Sequence, residues 1–376
     1  MPRVERVLLL GYFGAGNFGD DALLADWLSR HGEGLARRGM QADVIYNGSD
    51  PLQGFVEREH LQPLVGRLVP KREALKLDPR GYRALLAPGG SLLQDASSLR
   101  SLIYYLMVIR RFAQAGVPVL LLNQGLGPLR SFTARLATPR VLRSVRLLSL
   151  RDGQSFDWAR GQRALAAHPA LLLSCDPVLS GSLQAYGESP ALKELPAGYF
   201  LVMPRATGDL PYPGDPTTEP EALAKLVDAT RRASGLAPLL LPLHFERDAP
   251  FCRATAQAAG GAAVLDPGGD PYPASAVWQA IAGAQLVISY RLHGLVCAAA
   301  CGIPALGVAY DPKVSAFCEE MGYPYCFPAT VHELDALRDV GRLWQERDAV
   351  RELAGERRGK LLERLRASEA RAEEMW

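Results

Sequence analysis

The sequence predicts a two-domain α/β protein in which each domain is built on a doubly wound parallel sheet. Short apolar runs alternate with segments of helical period along most of the 376 residues, a pattern typical of parallel sheets covered by helices. A chain of this length usually divides its core, and residues 187–190 separate two series of apolar runs. We therefore expect domains at 1–185 and 186–345, followed by a helical tail, 346–376, that packs back on the body.

The predicted strands are apolar runs bounded by glycine, proline or polar residues. In the first domain they are 7–10, 43–46, 84–87, 117–122, 147–150 and 171–174. In the second domain they are 199–203, 238–241, 262–265, 286–288 and 305–308. Residues 208–216 are too rich in proline and glycine for regular structure and predict a surface loop. The charged tail has helical period, which is typical of solvated helices.

Composition narrows the class of protein. Hydrophobic residues make up 48% and charged residues 22%, which is ordinary for a soluble globular chain. The 42 basic residues nearly balance the 40 acidic ones, so no electrostatic argument favours a nucleic-acid partner. No apolar run approaches the roughly 18 residues that span a bilayer, and we expect no secretory signal. The six cysteines are scattered without a C-x-x-C pair, so neither a metal site nor a disulfide framework is expected.

The strongest candidate for a functional site is the segment 289–294, which reads Ser-Tyr-Arg-Leu-His-Gly. It places Arg291 and His293 where an apolar strand meets a helix of small residues. Backbone N–H groups at a helix N-terminus favour anions, and an arginine can bind phosphate or carboxylate through two parallel hydrogen bonds. The imidazole adds proton transfer near neutral pH. The alternative, in which His293 caps the helix and Arg291 pairs with a core carboxylate, stays open.

The first strand is followed by a glycine-rich turn. Gly14, Gly16 and Gly19 satisfy the G-x-G-x-x-G spacing of a dinucleotide-binding turn. However, Asp20 and Asp21 at the start of the next helix would oppose a pyrophosphate. A carboxylate there can instead accept a proton from a neutral hydroxyl. Capping of the helix is the alternative role of either acid.

Ligands of parallel sheets bind at the carboxyl ends of the strands, so residues that follow other strands also count. A pair of glycines follows one strand and allows close approach of a ligand to the backbone. An amide beside a glycine follows another strand and can bind hydroxyls. Two further strands are followed by cations, which add to the positive charge of Arg291. These residues are Gly89 and Gly90, Gln124 with Gly125, Arg151, and Lys313. Plain turns, an internal salt bridge of Arg151 and a solvated lysine are the alternatives. The recurrence of cations predicts a small, doubly anionic ligand.

These motifs together resemble those of the polysaccharide pyruvyl transferases, particularly the CsaB-type branch that acts on bacterial cell-wall polysaccharide. The resemblance covers most of the chain and depends on the segments 11–14, 17–22, 89–95, 124–128, 151–152, 289–294 and 310–314. The chain departs from the family pattern at two positions. Asp21 stands where the family usually has glutamate, and Ser91 stands where a third glycine is common.

The resemblance implies a glycosyltransferase-B-like pair of facing Rossmann-like domains, with the acceptor on the N-terminal side and the donor on the C-terminal side. It implies phosphoenolpyruvate as the donor and a pyruvate ketal on a sugar as the product, with release of phosphate. The implied sugar is N-acetylmannosamine of a secondary cell-wall polymer, where the ketal serves to anchor surface-layer proteins. No metal or redox cofactor is implied.

The resemblance also assigns roles to residues. His293 becomes the general acid that protonates the methylene carbon, and Asp20 becomes the base for the attacking hydroxyl. Arg151, Arg291 and Lys313 bind the phosphate and the carboxylate. Further substrate contacts are expected from Asn17, Gly89, Gly90, Gln124, Gly125, Ser289 and Leu292.

Two other functions remain open. A nucleotide-sugar-dependent glycosyltransferase would use the same architecture, and a dinucleotide-binding protein would use the glycine-rich turn. We expect a cytoplasmic protein. If its acceptor is a lipid-linked precursor of the polysaccharide, peripheral contact with the inner face of the plasma membrane is also expected.

Overall fold

The chain divides into two compact units. The computed structural model describes residues 5–47, 64–186, 192, 195–205, 220–265, 273–328 and 333–376. Unit 1 comprises 1–15, 20–177 and 361–376, and unit 2 comprises 16–19 and 178–360. The main division between the two units follows Pro177. The predicted loop 208–216 lies outside the described residues.

Unit 1 is built on an eight-stranded sheet whose described pairs are all parallel. Its strands are β1 (Glu5–Phe13), β2 (Met40–Tyr46), β3 (Val65–Pro70), β4 (Ala84–Ala87), β5 (Gly90–Leu93), β6 (Val119–Leu126), β7 (Leu147–Leu150) and β8 (Leu171–Leu173). The order is β3-β2-β1-β4-β6-β7-β8, and β5 pairs with β6. The strand order reverses between β1 and β4, which is where open α/β sheets bind ligands.

The helices of unit 1 cover this sheet and bury its apolar strands. They are α1 (Phe18–Arg37), α2 (Lys71–Ala74), α3 (Leu99–Gln114), α4 (Phe132–Leu142) and α5 (Gly153–Gly161). Parallel strands buried on both faces are continuous apolar runs, and β4 is fully buried. On α3, Ile109 and Phe112 join the same core as Leu85 and Leu121. This helix begins at a Ser98 cap whose hydroxyl accepts the Ser101 N–H.

Unit 2 repeats the design with a six-stranded parallel sheet. Its strands are β9 (Tyr199–Met203), β10 (Ala237–Leu240), β11 (Ala263–Val264), β12 (Leu286–Ser289), β13 (Ala305–Ala309) and β14 (Cys326–Pro328). The order β11-β10-β9-β12-β13-β14 is the strand order of a Rossmann domain. It reverses between β9 and β12, so the expected ligand crevice of unit 2 lies beyond Met203 and Ser289.

The helices of unit 2 follow its strands in turn. They are α6 (Pro220–Ser234), α7 (Phe245–Ala258), α8 (Ala274–Ala282), α9 (Leu292–Ala300), α10 (Pro312–Met321) and α11 (Glu333–Glu373). The last turns of α11, from Leu361 onward, belong to unit 1. Gly322 ends α10 in the left-handed region at φ 68°, where glycine has no steric penalty. Among the described residues, no helix combines the length and the apolar character needed to cross a bilayer.

The predicted fold class, two α/β domains with parallel sheets, is confirmed. Every predicted strand is present, with shifted ends at several. The prediction missed β3, β5 and β14. Strand β3 lies at the edge of its sheet and contains an exposed Gly66 and Arg67, so it has no continuous apolar run. Strand β5 begins at the second glycine of the pair for which the sequence left a plain turn open.

Candidate functional site

Basic side chains follow four neighbouring strands of unit 2, each at the carboxyl end of its strand. Arg205 lies just beyond β9, His244 beyond β10, Arg291 and His293 beyond β12, and Lys313 beyond β13. In the sheet these strands lie side by side in the order β10-β9-β12-β13. The fold thus places three permanent cations and two imidazoles along one edge of one sheet. This edge suits an anionic ligand.

The Arg291 guanidinium is fixed by a bidentate ion pair with Asp248 on α7. Its Nε atom donates to Oδ2 at 3.0 Å and its Nη2 atom donates to Oδ1 at 2.7 Å. Asp248 is fully buried. The backbone of Arg291 is held by Ser289, whose hydroxyl accepts the Arg291 N–H at 3.0 Å. Because a guanidinium has five N–H donors, the pair with Asp248 orients Arg291 and still leaves donors for a ligand.

His244 lies beside this ion pair. Its backbone N–H donates to Asp248 Oδ2 at 3.0 Å, so the carboxylate joins His244 to Arg291. Burial lowers the pKa of His244, and the Arg291 guanidinium lowers it further. The imidazole is therefore neutral at neutral pH. Its Nδ1 atom is buried and has no hydrogen-bond partner within the described ranges.

The His293 ring lies against Gly19, at the start of α1. A methyl group at Gly19 would come within 2.2 Å of His293 Nδ1, so only glycine leaves room for the imidazole. The segment 16–19 is held on unit 2 by the Phe18 N–H, which donates to the Leu243 carbonyl at 2.9 Å. Asn17 also forms an antiparallel bridge with His244. The glycine-rich turn thus contributes directly to the surroundings of both histidines.

Substitution of Gly19 by alanine is therefore expected to displace His293 without disturbing the helix. If His293 is the proton donor that the sequence predicts, the rate of the reaction that it catalyses should fall by about a hundredfold or more, because small misplacements of reacting groups have effects of that size. The matched control is Gly34→Ala in the same helix, where a methyl group meets only the end of the Arg37 side chain at 4.0 Å. Steady-state kinetics of both variants would check this. Equal activity of the two variants would contradict it.

Lys313 and Arg205 form a second basic group at the same edge. Lys313 Nζ lies 3.3 Å from Asp311 Oδ2, and Asp311 also caps α10 by accepting the Lys313 N–H. Arg205 donates to the Tyr310 hydroxyl and lies over its ring, 4.2 Å from the centroid. Burial alone would raise the pKa of Asp311, but Lys313 and Arg205 together lower it. The carboxylate is therefore ionised and holds the lysine in place.

In unit 1, Arg151 is buried, with 5% of its surface exposed, and contacts one serine and two aspartates. Its guanidinium donates to Ser91 Oγ at 2.8 Å and lies 3.4 Å from Asp176 Oδ2. The Oδ2 atom of Asp152 lies 3.7 Å from Arg151 Nε. A methyl group at Gly125 would lie 2.5 Å from Arg151 Nη2, so this glycine makes space for the guanidinium. The internal ion pair that the sequence left open is present.

The two acids of α1 have different surroundings. Asp21 accepts the Gly14 N–H at 2.8 Å and so closes the glycine-rich turn. Asp20 lies near Gly90, where a methyl group would be 3.6 Å from its Oδ1. Gly89 and Gly90 have φ values of 158° and 100°, which favour glycine. These two glycines let the end of β4 approach the first turn of α1.

Gln124 and Leu292, two predicted substrate contacts, are both buried. The Gln124 amide donates to the carbonyls of Ala87 and Leu122 at 3.1 and 3.0 Å. It thereby links β4 to β6, while its Oε1 is buried with no partner in the described part of the chain. Leu292 is 5% exposed and opens α9.

Of the residues selected from the sequence, unit 2 brings six to one edge of its sheet: Asn17, Ser289, Arg291, Leu292, His293 and Lys313. Unit 1 brings the rest to the carboxyl edge of its own sheet. These are Asp20, Gly89, Gly90, Gln124, Gly125 and Arg151. Sequence reasoning missed the polar residues Arg205, His244, Asp248 and Asp176. The positions of Arg205 and His244 directly after predicted strands were the available signal.

Comparison with solved structures shows a shared fold at low sequence identity. A putative UDP-N-acetylglucosamine 2-epimerase from Listeria monocytogenes has a TM-score of 0.63 and 12% identity, covering 96% of this chain and 95% of its own. The Neisseria meningitidis UDP-GlcNAc 2-epimerase has a TM-score of 0.59 and 7% identity, covering 96% and 98%. HepE from Anabaena, in complex with UDP and glucose, has a TM-score of 0.58 and 12% identity, covering 98% of each chain. These likenesses show a fold of the glycosyltransferase-B type.

Comparison by sequence gives a family. No curated protein has significant sequence similarity to the chain. A family model described as polysaccharide pyruvyl transferase matches residues 17–312. The matched range begins at the segment against the histidines of unit 2 and ends at the start of α10, so it includes almost all of the candidate residues.

Proposed function

The chain belongs to the polysaccharide pyruvyl transferase family, and we propose that it transfers the pyruvyl group of phosphoenolpyruvate to a sugar of a cell-wall polysaccharide. The products are a pyruvate ketal on the sugar and free phosphate. The observation that supports this choice of donor is the row of basic residues at four neighbouring strand ends of unit 2. Phosphoenolpyruvate carries a phosphate and a carboxylate, and binding both requires several cations.

In this proposal unit 2 binds the donor. Arg291, oriented by its ion pair with Asp248, binds one anionic group of phosphoenolpyruvate through its remaining donors. Lys313 and Arg205 bind the other anionic group, and the backbone N–H groups at the start of α9 add to the positive field. Arg151, in unit 1, keeps within this proposal the anion-binding role that the resemblance implies. Ser289 and Leu292 hold the backbone from which Arg291 and His293 project.

His293 acts as the general acid in the first half of the reaction. The enol carbon that bears the phosphate becomes electrophilic only when the neighbouring methylene carbon accepts a proton. The imidazolium of His293 donates that proton, which turns the methylene into the methyl group of the product. Gly19 sets the position of the ring through its contact with Nδ1.

Asp20 acts as the base on the acceptor side, on unit 1. It accepts the proton of the first sugar hydroxyl as the oxygen of that hydroxyl attacks the electrophilic carbon. The carbon–oxygen bond to phosphate then breaks, and a second hydroxyl of the same sugar closes the ketal ring. Its proton leaves with the phosphate. The carbon framework undergoes no net oxidation or reduction, so the reaction requires no redox cofactor.

The finer features of the function follow from the same resemblance and are part of the proposal. The chain would belong to the CsaB-type branch, and its acceptor would be N-acetylmannosamine of a secondary cell-wall polymer that anchors surface-layer proteins. The reaction would take place in the cytoplasm. A lipid-linked acceptor would bring the protein to the inner face of the plasma membrane by peripheral contact.

Ligand-induced thermal stabilisation tests the choice of donor. A ligand at a hundred times its Kd stabilises the folded state by about 2.7 kcal/mol. We expect phosphoenolpyruvate to raise the melting temperature, and UDP-sugars and nicotinamide dinucleotides to leave it unchanged. The fold neighbours include enzymes of UDP-sugars, so stabilisation by UDP-sugars alone would favour a nucleotide-sugar-dependent glycosyltransferase and overturn the proposal.

A further inference from the structure

Unit 1 contains a pocket that is lined by none of the residues assigned to the candidate site. It has a volume of about 510 Å³ and is lined by Tyr46, Asn47, Lys71, Arg72 and Tyr104, among others. Tyr46 ends β2, and Lys71 directly follows the end of β3. The pocket therefore lies at the carboxyl edge of the unit 1 sheet, the edge at which parallel sheets bind ligands.

Lys71 is the unusual residue of this pocket, because its partners are aromatic rings. Its Nζ atom lies 4.6 Å from the ring centroid of Tyr104, 4.9 Å from that of Tyr105 and 6.0 Å from that of Tyr12. Within the described ranges, it forms no ion pair with a carboxylate. Burial lowers the pKa of Lys71. The ring faces hold the ammonium in place but do not neutralise it.

Arg72 provides a second cation next to Lys71. Its side chain is 86% exposed, and its nearest carboxylate is Glu73 at 4.0 Å. Two adjacent cations without a strong internal partner favour a ligand of high negative charge, and a lysine binds phosphate as a point charge. The tyrosine rings and the Asn47 amide are the kind of lining that orients a polar ring such as a sugar.

An electrostatic interaction links Tyr105, one of the rings around Lys71, to Asp20. The Tyr105 hydroxyl is buried, and its pKa is raised first by burial and then by the charge of Asp20. Asn47 donates to the Gly11 carbonyl at 2.9 Å, in the strand that leads to the glycine-rich turn. All of these residues belong to unit 1. A ligand anchored at Lys71 thus lies at the same carboxyl edge of the unit 1 sheet as Asp20.

We propose that this pocket binds the acceptor through a phosphate attached to its sugar, with Lys71 and Arg72 on the phosphate and the tyrosine rings beside the sugar. Its role as the acceptor site depends on the pyruvyl transferase function proposed above, whereas the binding chemistry does not. The phosphate belongs either to the glycan itself or to a diphosphate-linked carrier.

Binding measured by titration calorimetry tests the pocket without any catalysis. The probes are N-acetylmannosamine 1-phosphate and the methyl glycoside of the same sugar. Lys71→Met is expected to weaken binding of the phosphate by about tenfold to a hundredfold, the range for a lost charged hydrogen bond. Lys71→Arg is expected to retain most of the affinity. Lys76→Met, a matched loss of an exposed lysine just beyond α2, is expected to have no effect.

The outcomes separate the pocket from the proposed function. Unchanged binding of both phosphorylated probes in Lys71→Met, or an equal loss for the methyl glycoside, would overturn the pocket even if pyruvyl transfer occurs. Phosphate binding that depends on Lys71 supports the pocket even if no acceptor is ever pyruvylated. A third probe, the sugar diphosphate on a short prenyl chain, identifies the source. If Lys71→Met weakens binding of the 1-phosphate, the phosphate belongs to the glycan. If it weakens binding of the prenyl compound only, the phosphate belongs to a carrier.

Discussion

Replacement of His293 by alanine is expected to abolish release of phosphate from phosphoenolpyruvate in the presence of acceptor. General acid catalysis typically contributes about two to four orders of magnitude, and protonation of the methylene carbon precedes every other bond change in the proposed reaction. The imidazole is half-buried at the start of α9 and contacts Gly19, so its removal leaves the sheet intact. Phosphate release in a coupled assay measures the effect.

A second variant separates proton transfer from packing. His293→Gln fills part of the space of the ring but cannot deliver a proton, so it should be as inactive as the alanine variant. Thermal stabilisation by phosphoenolpyruvate should persist in both variants, because Arg291 and Lys313 remain. Turnover close to that of the unsubstituted protein in either variant would refute the role of His293 as the acid.

Replacement of Asp20 by asparagine is expected to lower transfer by about two to four orders of magnitude, while binding of the donor persists. The amide cannot accept the proton of the attacking hydroxyl. Transfer is measured as ketal product, and donor binding is measured by thermal shift.

The neighbouring acid offers a matched control for this prediction. Asp21 accepts the Gly14 N–H, and the oxygen of an asparagine side chain can accept the same bond. Asp21→Asn should therefore retain most of the activity. If Asp21→Asn reduces transfer as strongly as Asp20→Asn, the catalytic base is not Asp20 alone and the proposed assignment is wrong.

The interior of each sheet could be predicted from the sequence, whereas its edges could not. Strands such as β4 and β9 are buried along their whole length, and this produces the apolar runs on which the prediction depended. Strand β3 lies at the end of its sheet, with two exposed residues in its middle. A continuous apolar run reflects burial of a strand rather than strand formation itself. A half-exposed edge strand therefore has no such run and is hard to predict.

The basic residues of the candidate site could be predicted from the sequence, but the acidic residues that pair with them could not. Arg291, His293 and Lys313 follow predicted strands, and topology brings strand ends to one edge. Asp248 lies on a different helix, 43 positions from Arg291. Only the tertiary fold, which places the first turn of α7 beside the residue that follows β12, brings the two together. The ion pair between them does not contradict a ligand role for Arg291, because it engages two of the five guanidinium donors.

The mass of the acceptor after incubation with phosphoenolpyruvate tests the central claim most directly. The protein is mixed with phosphoenolpyruvate and a panel of N-acetylmannosamine glycosides, both soluble and lipid-linked, and the products are analysed by mass spectrometry. The proposed function predicts that one acceptor gains the mass of a pyruvate ketal and that one phosphate is released for each ketal formed. An acceptor panel that stays unmodified with phosphoenolpyruvate but gains a sugar from a UDP-sugar would contradict it.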